Sequence, residues 1–99
     1  MFARILRFQT QPEQVRKASL IFEESVLPLC RKQKGYKGSL YLADRETGRN
    51  LPITLWESEQ DMLETERNRF FQEQLVKFMN LFVEFPVREE YEVLVRDEG

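Results

Sequence analysis

The stretch "NLPITLWESEQDML", Asn50–Leu63, decides the fold because it changes from the periodicity of a strand to that of a helix within a few residues. In its first half, leucine and isoleucine alternate with a more polar set: Asn50, Pro52, Thr54 and Trp56. Such alternation predicts a strand with two distinct faces. Ser58, followed three residues later by Asp61, is a helix N-cap signature, so we expect the strand to lead directly into a helix.

The rest of the chain extends this pattern in both directions. Alternation predicts further strands at 2–9, 36–44 and 90–97. Apolar residues at steps of three and four predict a helix of about 20 residues from Pro12 and a second helical region over 58–82. Short connections and right-handed crossovers fold this β-α-β-β-α-β order as a four-stranded antiparallel sheet with helices on one face, the α+β ferredoxin-like arrangement.

Three local features follow from particular residues. Pro28 lies late in the first helix and is expected to end or kink it. The second helical region is predicted to consist of two pieces, with a bend near Asn68. The segment "EFPVRE", 84–89, is predicted to be a loop before the last strand.

The predicted strands carry apolar residues on both faces. In the second strand, Tyr41 is expected to face away from Tyr36, Leu40 and Leu42. In the last strand, the residues expected to face inward are Tyr91, Val93 and Val95. Helices cover one face only, and a second copy of the same sheet is the simplest cover for the other. The chain is therefore predicted to form a homodimer.

Composition limits the class of protein. The chain of 99 residues predicts one domain, 1–99, and its net charge of −2 gives no reason to expect nucleic acid or an anionic membrane as a partner. The chain has no histidine and one cysteine, Cys30. An internal disulfide and a cysteine-cluster metal site are excluded, and the usual general base is missing. We expect a reduced, cytoplasmic protein in which Cys30 is a small buried side chain.

The segment "GYKGSLYLADRETGRNLPITLWESEQDM", Gly35–Met62, resembles the antibiotic biosynthesis monooxygenase-like (ABM) family of dimeric α/β barrels. Its most specific features are a Gly-aromatic-x-Gly strand entry, an Asp-Arg-x-x-Gly hairpin and a strand that ends in "LWES". The resemblance implies a homodimer whose sheets pack face to face, with a pocket between sheet and helices in each subunit. It also implies chemistry without a cofactor, since the family's monooxygenases use no flavin, metal or haem on phenol- or anthrone-like substrates.

The resemblance also implies a pocket lined by a tryptophan from the third strand, which Trp56 matches by position. The family's pocket asparagine is not carried over to Asn50, which lies about 20 Å from Trp56 along a strand. From the residues alone, Trp56 either fills the core or floors a pocket, and the hydroxyl of Thr54 on the same face favours a pocket. The candidate substrate-binding residues are Trp56, Thr54, Tyr41 and Phe71.

The catalytic residues stay open at this level. A chain without histidine cannot build the His-ligated haem site of the family's haem-degrading branch. Arg4 and Arg7 lie within the first strand, where each either pairs with a glutamate or anchors an anionic ligand. The candidate bases, each of which needs a pKa shifted by burial, are Tyr36, Tyr41, Asp44 and Glu57.

Three functions are consistent with these residues. The first is an oxygenase that acts without a cofactor on a small aromatic or quinol. The second is a non-catalytic binder of small molecules, and the third is a dimer whose space between helices and sheet is filled by its own side chains. An accessible Trp56 favours the first two functions, and a buried Trp56 favours the third.

Overall fold

Four antiparallel strands form one sheet in the computed structural model, which describes residues 1–99. The strands are β1 (Phe2–Gln9), β2 (Tyr36–Asp44), β3 (Arg49–Trp56) and β4 (Val87–Glu92). Their order across the sheet is β2-β3-β1-β4, so β3 and β1 occupy the centre. The predicted α+β ferredoxin-like fold is confirmed.

The chain between β1 and β2 forms one continuous helical stretch of changing type. It comprises a 3₁₀ turn (Pro12–Gln14), α1 (Val15–Ile21), a π-helical segment (Phe22–Val26) and α2 (Leu27–Cys30). Pro28 has no N–H to donate to the preceding turn, and the wider π-helical turn lies directly before α2. The irregularity predicted at Pro28 is therefore a change of helix type.

The chain after β3 forms two separate helices. They are α3 (Glu59–Arg67) and α4 (Phe70–Val76), followed by a 3₁₀ turn (Met79–Leu81). Arg69 has a left-handed backbone conformation, with φ 69°, and Asn68 Oδ1 accepts a hydrogen bond from the Phe70 N–H at 2.9 Å. The bend predicted near Asn68 is confirmed. None of the helices combines the length and the apolarity needed to cross a membrane.

The helices cover the face of β3 that is more polar in sequence. On this face, Asn50 and Trp56 are only 1% and 2% exposed. The buried hydrophobic cluster beneath the helices consists of Phe8, Ala18, Phe22, Val26, Cys30 and Phe78. The leucines and isoleucine of β3 consequently lie on the opposite face of the sheet.

The predicted orientation of Tyr36 relative to Tyr41 is wrong. The pairing of β2 with β3 is irregular between Tyr36 and Gly38, a β-bulge that shifts the alternation by one residue. Tyr36 and Tyr41 therefore both pack against the buried cluster on the helix side. Leu40, by contrast, is 58% exposed on the opposite face.

The predicted bounds of the last strand are also wrong. β4 begins at Val87, within the segment 84–89 that was expected to be a loop, and it ends before Val93. Tyr91 lies opposite Ala3 of β1 and is 52% exposed, so it does not face inward. The sequence misleads here because pairing with β1, and not apolar alternation, decides where this edge strand begins and ends.

Ser58 caps α3 as predicted, since its Oγ accepts a hydrogen bond from the Asp61 N–H at 3.1 Å. Replacing it by Ser58→Ala removes this acceptor and is expected to lower the free energy of unfolding by about 1 kcal/mol in urea denaturation. Ser19→Ala is the matched control, because the Ser19 hydroxyl is exposed and lies inside a helix instead of at its cap. Equal losses in the two variants would contradict the capping role.

Candidate functional site

A cavity of about 70 Å³ lies between the sheet and the helices. Its wall is mainly hydrophobic, and six of its fifteen residues are aromatic: Phe8, Phe22, Trp56, Phe70, Phe71 and Phe78. The polar residues of the wall are Arg4, Thr54, Thr65 and Gln74. An apolar cavity with a few convergent polar groups is typical of a site for a small, largely apolar ligand.

The predicted substrate-binding residues divide into two groups. Three of them line the cavity: Trp56, Thr54 and Phe71. Tyr41 lies outside the wall, where its ring packs against Phe22 with the centroids 5.3 Å apart. Its hydroxyl donates a hydrogen bond to Asn50 Oδ1 at 2.7 Å. The structure thus places Tyr41 in the core beside the cavity.

Trp56 is both a core residue and part of the cavity wall. Its Nε1 donates a hydrogen bond to Thr54 Oγ1 at 3.0 Å, and Tyr36 packs edge-on against it with the centroids 5.7 Å apart. Trp56 therefore fills the core and also lines the cavity, so the two interpretations of this residue do not exclude each other. The Thr54 oxygen is already engaged by the indole N–H.

Arg4 extends from the centre of the sheet towards the helices and is 4% exposed. Its Nη1 donates to Thr65 Oγ1 at 2.8 Å, and its Nη2 donates to Glu66 Oε2 at 2.6 Å and to the Met62 carbonyl at 3.3 Å. The guanidinium lies 4.5 Å from the centroid of the Phe71 ring. Its Nε has no hydrogen-bond partner. Of its five N–H groups, the Nε–H and one N–H of Nη1 therefore make no hydrogen bond.

Two glutamates balance the buried charge. Glu66 also pairs with Arg88 at 2.8 Å, and Glu90 lies 3.8 Å from Arg4 and 3.1 Å from Arg88. Burial lowers the pKa of Arg4, and Glu66 and Glu90 oppose that shift. Arginine stays protonated at neutral pH in any protein environment. Of the two alternatives for the β1 arginines, the ion pair with a glutamate is present for Arg4 and also for the exposed Arg7.

Gln74 is a residue of the cavity wall that was not predicted from the sequence. It is 8% exposed, and its Oε1 has no hydrogen-bond partner. Phe70 and Phe78 lie four residues before and after it, so Gln74 stands in the middle of an aromatic stripe. A glutamine within an aromatic stripe was the feature of the sequence that could have identified this residue, because a buried amide normally needs a hydrogen-bond partner.

The cavity wall contains no base for neutral pH. Besides Arg4, its only titratable residue is Cys30, and burial raises the pKa of this thiol to about 11. A neutral thiol and a protonated guanidinium cannot accept a proton from a ligand. Deprotonation inside the cavity therefore depends on the acidity of the ligand itself.

The bases considered from the sequence all lie outside the wall: Tyr36, Tyr41, Asp44 and Glu57. Burial raises the pKa of Tyr41, whose hydroxyl already donates to Asn50. The pKa of Asp44 lies below its ordinary value, mainly because the Glu46 backbone N–H donates a hydrogen bond to its carboxylate. Neither residue is placed to take a proton from a molecule in the cavity.

The donor atoms around the cavity form no ligand set for a metal. No group of three or more histidine, cysteine, aspartate or glutamate side chains is placed to hold a metal ion. Arg4 Nε and Gln74 Oε1 make no hydrogen bond in the protein, and both atoms are buried.

Asn50 stabilises the β2–β3 hairpin and does not line the cavity. Its Nδ2 donates to Thr10 Oγ1 at 3.2 Å and to the Gly48 carbonyl at 3.0 Å, and its Oδ1 accepts from the Tyr41 hydroxyl. All its polar atoms are satisfied inside the protein. This agrees with its omission from the predicted site.

The fold and the cavity together define a class of protein: a ferredoxin-like α+β chain with an aromatic cavity and a buried arginine between its sheet and its helices. Solved structures with this fold include proteins described as antibiotic biosynthesis monooxygenases, as the sequence resemblance implied. No protein-family model matches the chain, and no curated protein matches it significantly.

Three solved structures illustrate the likeness. The monooxygenase ActVA-Orf6 of Streptomyces coelicolor, in complex with the ligand nanaomycin D, is 17% identical with a TM-score of 0.74, over 99% of this chain and 91% of the other. SnoaB, a cofactor-independent oxygenase from Streptomyces nogalater, is 11% identical with a TM-score of 0.73, over 99% and 97%. NE2512 from Nitrosomonas europaea, of unknown function, is 18% identical with a TM-score of 0.73, over 99% and 93%. At such identities the likeness establishes a shared fold.

The structural role of Asn50 has a testable consequence. Asn50→Ala leaves the hydroxyls of Tyr41 and Thr10 without this partner and is expected to lower the free energy of unfolding by about 2 kcal/mol, measured by urea denaturation. Asn80→Ala is the control, because Asn80 is exposed. A loss for Asn50→Ala no larger than that for Asn80→Ala would contradict the assigned role.

Proposed function

We propose that this protein is a cofactor-independent monooxygenase of the ABM type that acts on a small aromatic or quinol-type molecule. One observation carries the proposal: six aromatic rings and a buried guanidinium border the same cavity between sheet and helices. The fold shared with ActVA-Orf6 and SnoaB supports it. Trp56, Thr54 and Phe71 would contact the substrate as parts of the wall.

The reaction needs no external reductant. An electron-rich phenol loses its proton, and the resulting anion reduces O₂ directly. At an anthrone-like CH₂ group, one oxygen atom becomes the new carbonyl and the other leaves in water, so the substrate supplies all four electrons. The protein excludes bulk water, orients the ring between its aromatic walls and stabilises the anion through the positive charge of Arg4.

The size of the cavity restricts the substrate. Its volume of about 70 Å³ is about half of the roughly 150 Å³ that accommodates benzene in a protein interior. A ring therefore enters only when part of the wall moves. The wall residues of α4 include Phe70, Phe71 and Leu75, which are partly exposed, whereas Phe8 and Phe22 are buried. We infer that α4 is the wall that moves to admit the substrate.

Oxygen consumption with a panel of hydroquinones and anthrone-like phenols tests the proposal. We expect protein-dependent uptake that rises with pH along the ionisation curve of each substrate, because the wall contains no base. Leu75→Trp fills the cavity and is expected to lower the rate about 100-fold. Val76→Trp is the matched control, because Val76 is 60% exposed and lies outside the wall.

Two results of this assay would contradict the proposal or part of it. An inflection at one fixed pH for substrates of different acidity would assign a base to the protein. Absence of protein-dependent uptake, together with saturable binding of the same compounds, would favour the alternative function, a non-catalytic binder of small aromatic molecules. The observation that favours this alternative is the lack of a proton acceptor in the wall.

We also propose that the protein is a homodimer whose sheets pack face to face. The strand register places nine apolar or aromatic residues on the face away from the helices: Ala3, Ile5, Leu40, Leu42, Leu51, Ile53, Leu55, Val87 and Tyr91. The exposure of Leu40, Leu42, Val87 and Tyr91 is between 46% and 58%. The same face also carries Arg7 and Glu89, which form an ion pair at 3.1 Å. So many apolar residues on one face are rarely left uncovered, and a second copy presents the same surface to them.

Leu40→Glu is expected to raise the dissociation constant of the dimer about 100-fold, because it places a charge within an apolar interface. Sedimentation equilibrium measures the change. Met79→Glu is the matched control, since Met79 is 59% exposed, compared with 58% for Leu40, but lies on the helical side of the molecule. A monomeric wild-type protein, or a dimer that tolerates Leu40→Glu as well as Met79→Glu, would contradict the proposal.

A further inference from the structure

The helical side of the cavity is built from two separate stretches of chain. The first stretch, 22–30, contributes Phe22 and Val26 of the π-helical segment and Cys30 of α2. The second stretch, 70–78, contributes residues of α4 and Phe78, which packs in one cluster with those three side chains. The line along which the two stretches meet is here called the helical seam. The cavity is closed along this line.

A single hydrogen bond crosses the helical seam. Lys77 Nζ donates to the Ser25 backbone carbonyl at 3.1 Å, and both residues are partly buried. No other hydrogen bond joins residues 22–30 to residues 70–78. A hydrogen bond from a charged group is stronger than one between neutral groups. A molecule that passes between the two stretches therefore has one polar contact to break.

The opposite side of α4 is held by more charges. The Phe71 ring contacts two guanidinium groups, with its centroid 4.5 Å from Arg4 and 5.4 Å from Arg88. Both arginines form ion pairs with Glu66 and Glu90, at distances between 2.6 and 3.8 Å. Movement of α4 on that side separates an aromatic ring from two cations that are themselves fixed. Movement at the helical seam breaks one hydrogen bond and apolar contacts.

We propose that the helical seam is the entrance to the cavity and that Lys77 is the latch that closes it. The seam opens when Nζ leaves the Ser25 carbonyl and α4 moves away from the π-helical segment. This inference rests on the proposal that α4 is the wall that moves, but it holds for any occupant, whether or not the protein is an oxygenase. Lys77 lies outside the cavity wall. It therefore controls how fast a molecule enters and leaves, and it does not contact that molecule.

Cys30 allows opening of the seam to be measured without a known ligand. It is the only cysteine of the chain, is 2% exposed and lines the cavity from the first stretch. The probe is 4,4′-dithiodipyridine, which reacts with a thiolate by disulfide exchange. The Cys30 sulfur forms a mixed disulfide with one half of the reagent, and 4-thiopyridone leaves and is followed by its absorbance. Since the thiol is buried, the rate reports how often the structure opens around it.

Lys77→Met removes the donor and keeps an unbranched side chain, so we expect modification of Cys30 to become about tenfold faster. Lys77→Arg retains a charged donor and is expected to restore most of the slow wild-type rate. Lys17→Met, at an exposed position of α1, is the matched control. A change in thiol acidity acts in the other direction. Burial raises the pKa of Cys30 and the charge of Lys77 opposes that shift, so loss of this charge leaves less reactive thiolate.

Two further measurements locate the opening. Arg88→Met removes one guanidinium from Phe71 on the opposite side of α4 and is expected to accelerate modification less than Lys77→Met does. In Lys77→Met, amide hydrogen exchange is expected to rise in α4 and to stay unchanged in β1 and β3. This pattern distinguishes local opening from a lower stability of the whole fold.

Three outcomes would overturn the assignment of the entrance and its latch. Equal rates in Lys77→Met and Lys17→Met would mean that the bond to Ser25 does not control access. A larger acceleration in Arg88→Met would move the entrance to the opposite side of α4. Exchange that rises equally in α4 and in the sheet would mean that Lys77 only stabilises the fold.

Failure of this inference and failure of the proposed function are distinguishable, because the thiol measurement requires neither a substrate nor oxygen. If Cys30 is not modified in any folded variant, exchange in α4 decides alone, and equal exchange in Lys77→Met and Lys17→Met overturns the inference. Oxygen uptake with the phenol panel decides the proposed function separately.

Discussion

The burial of one positive charge is the constraint on which the site depends. Arg4 enters the space beneath the helices from the central strand β1, and a guanidinium in that position needs compensating partners. Thr65 and Glu66 of α3 and Glu90 of β4 provide them. The same contacts fix where α3 lies on the sheet, and Phe71 of α4 rests on the guanidinium. The cavity is the space left between these elements once the arginine has set their positions.

The parts of the fold that depend on local chemistry could be predicted from the sequence. Alternation of side chains defines the two faces of β3. The hydroxyl of Ser58 caps α3, and the side chain of Asn68 marks the break between α3 and α4. The orientation of Tyr36 and the start of β4 could not be predicted in this way. The first depends on a bulge between β2 and β3, and the second depends on pairing between β4 and β1. Both are set by the contact between two strands, which the residues of one strand do not reveal.

The residues that line the cavity could also be predicted in part from the sequence. Trp56, Thr54 and Phe71 line the cavity as expected, because a strand face and a helical stripe determine which residues meet across the core. Tyr41 was included for the same reason, but its hydrogen bond to Asn50 holds it beside the wall. That the amide oxygen of Gln74 has no hydrogen-bond partner could not be predicted, because it depends on how the helices and the sheet pack together.

The left-handed residue between α3 and α4 has a consequence for the shape of the cavity. Arg69, with φ 69°, adopts a backbone conformation that costs a residue other than glycine about 1–2 kcal/mol. It joins α3, which Arg4 holds, to α4, which forms the partly exposed wall. Local strain is therefore held at the junction of the two helices that contribute Thr65 and Phe70 to the cavity wall. Residue 69 thereby sets the direction in which α4 leaves α3, and with it the position of the wall that α4 forms.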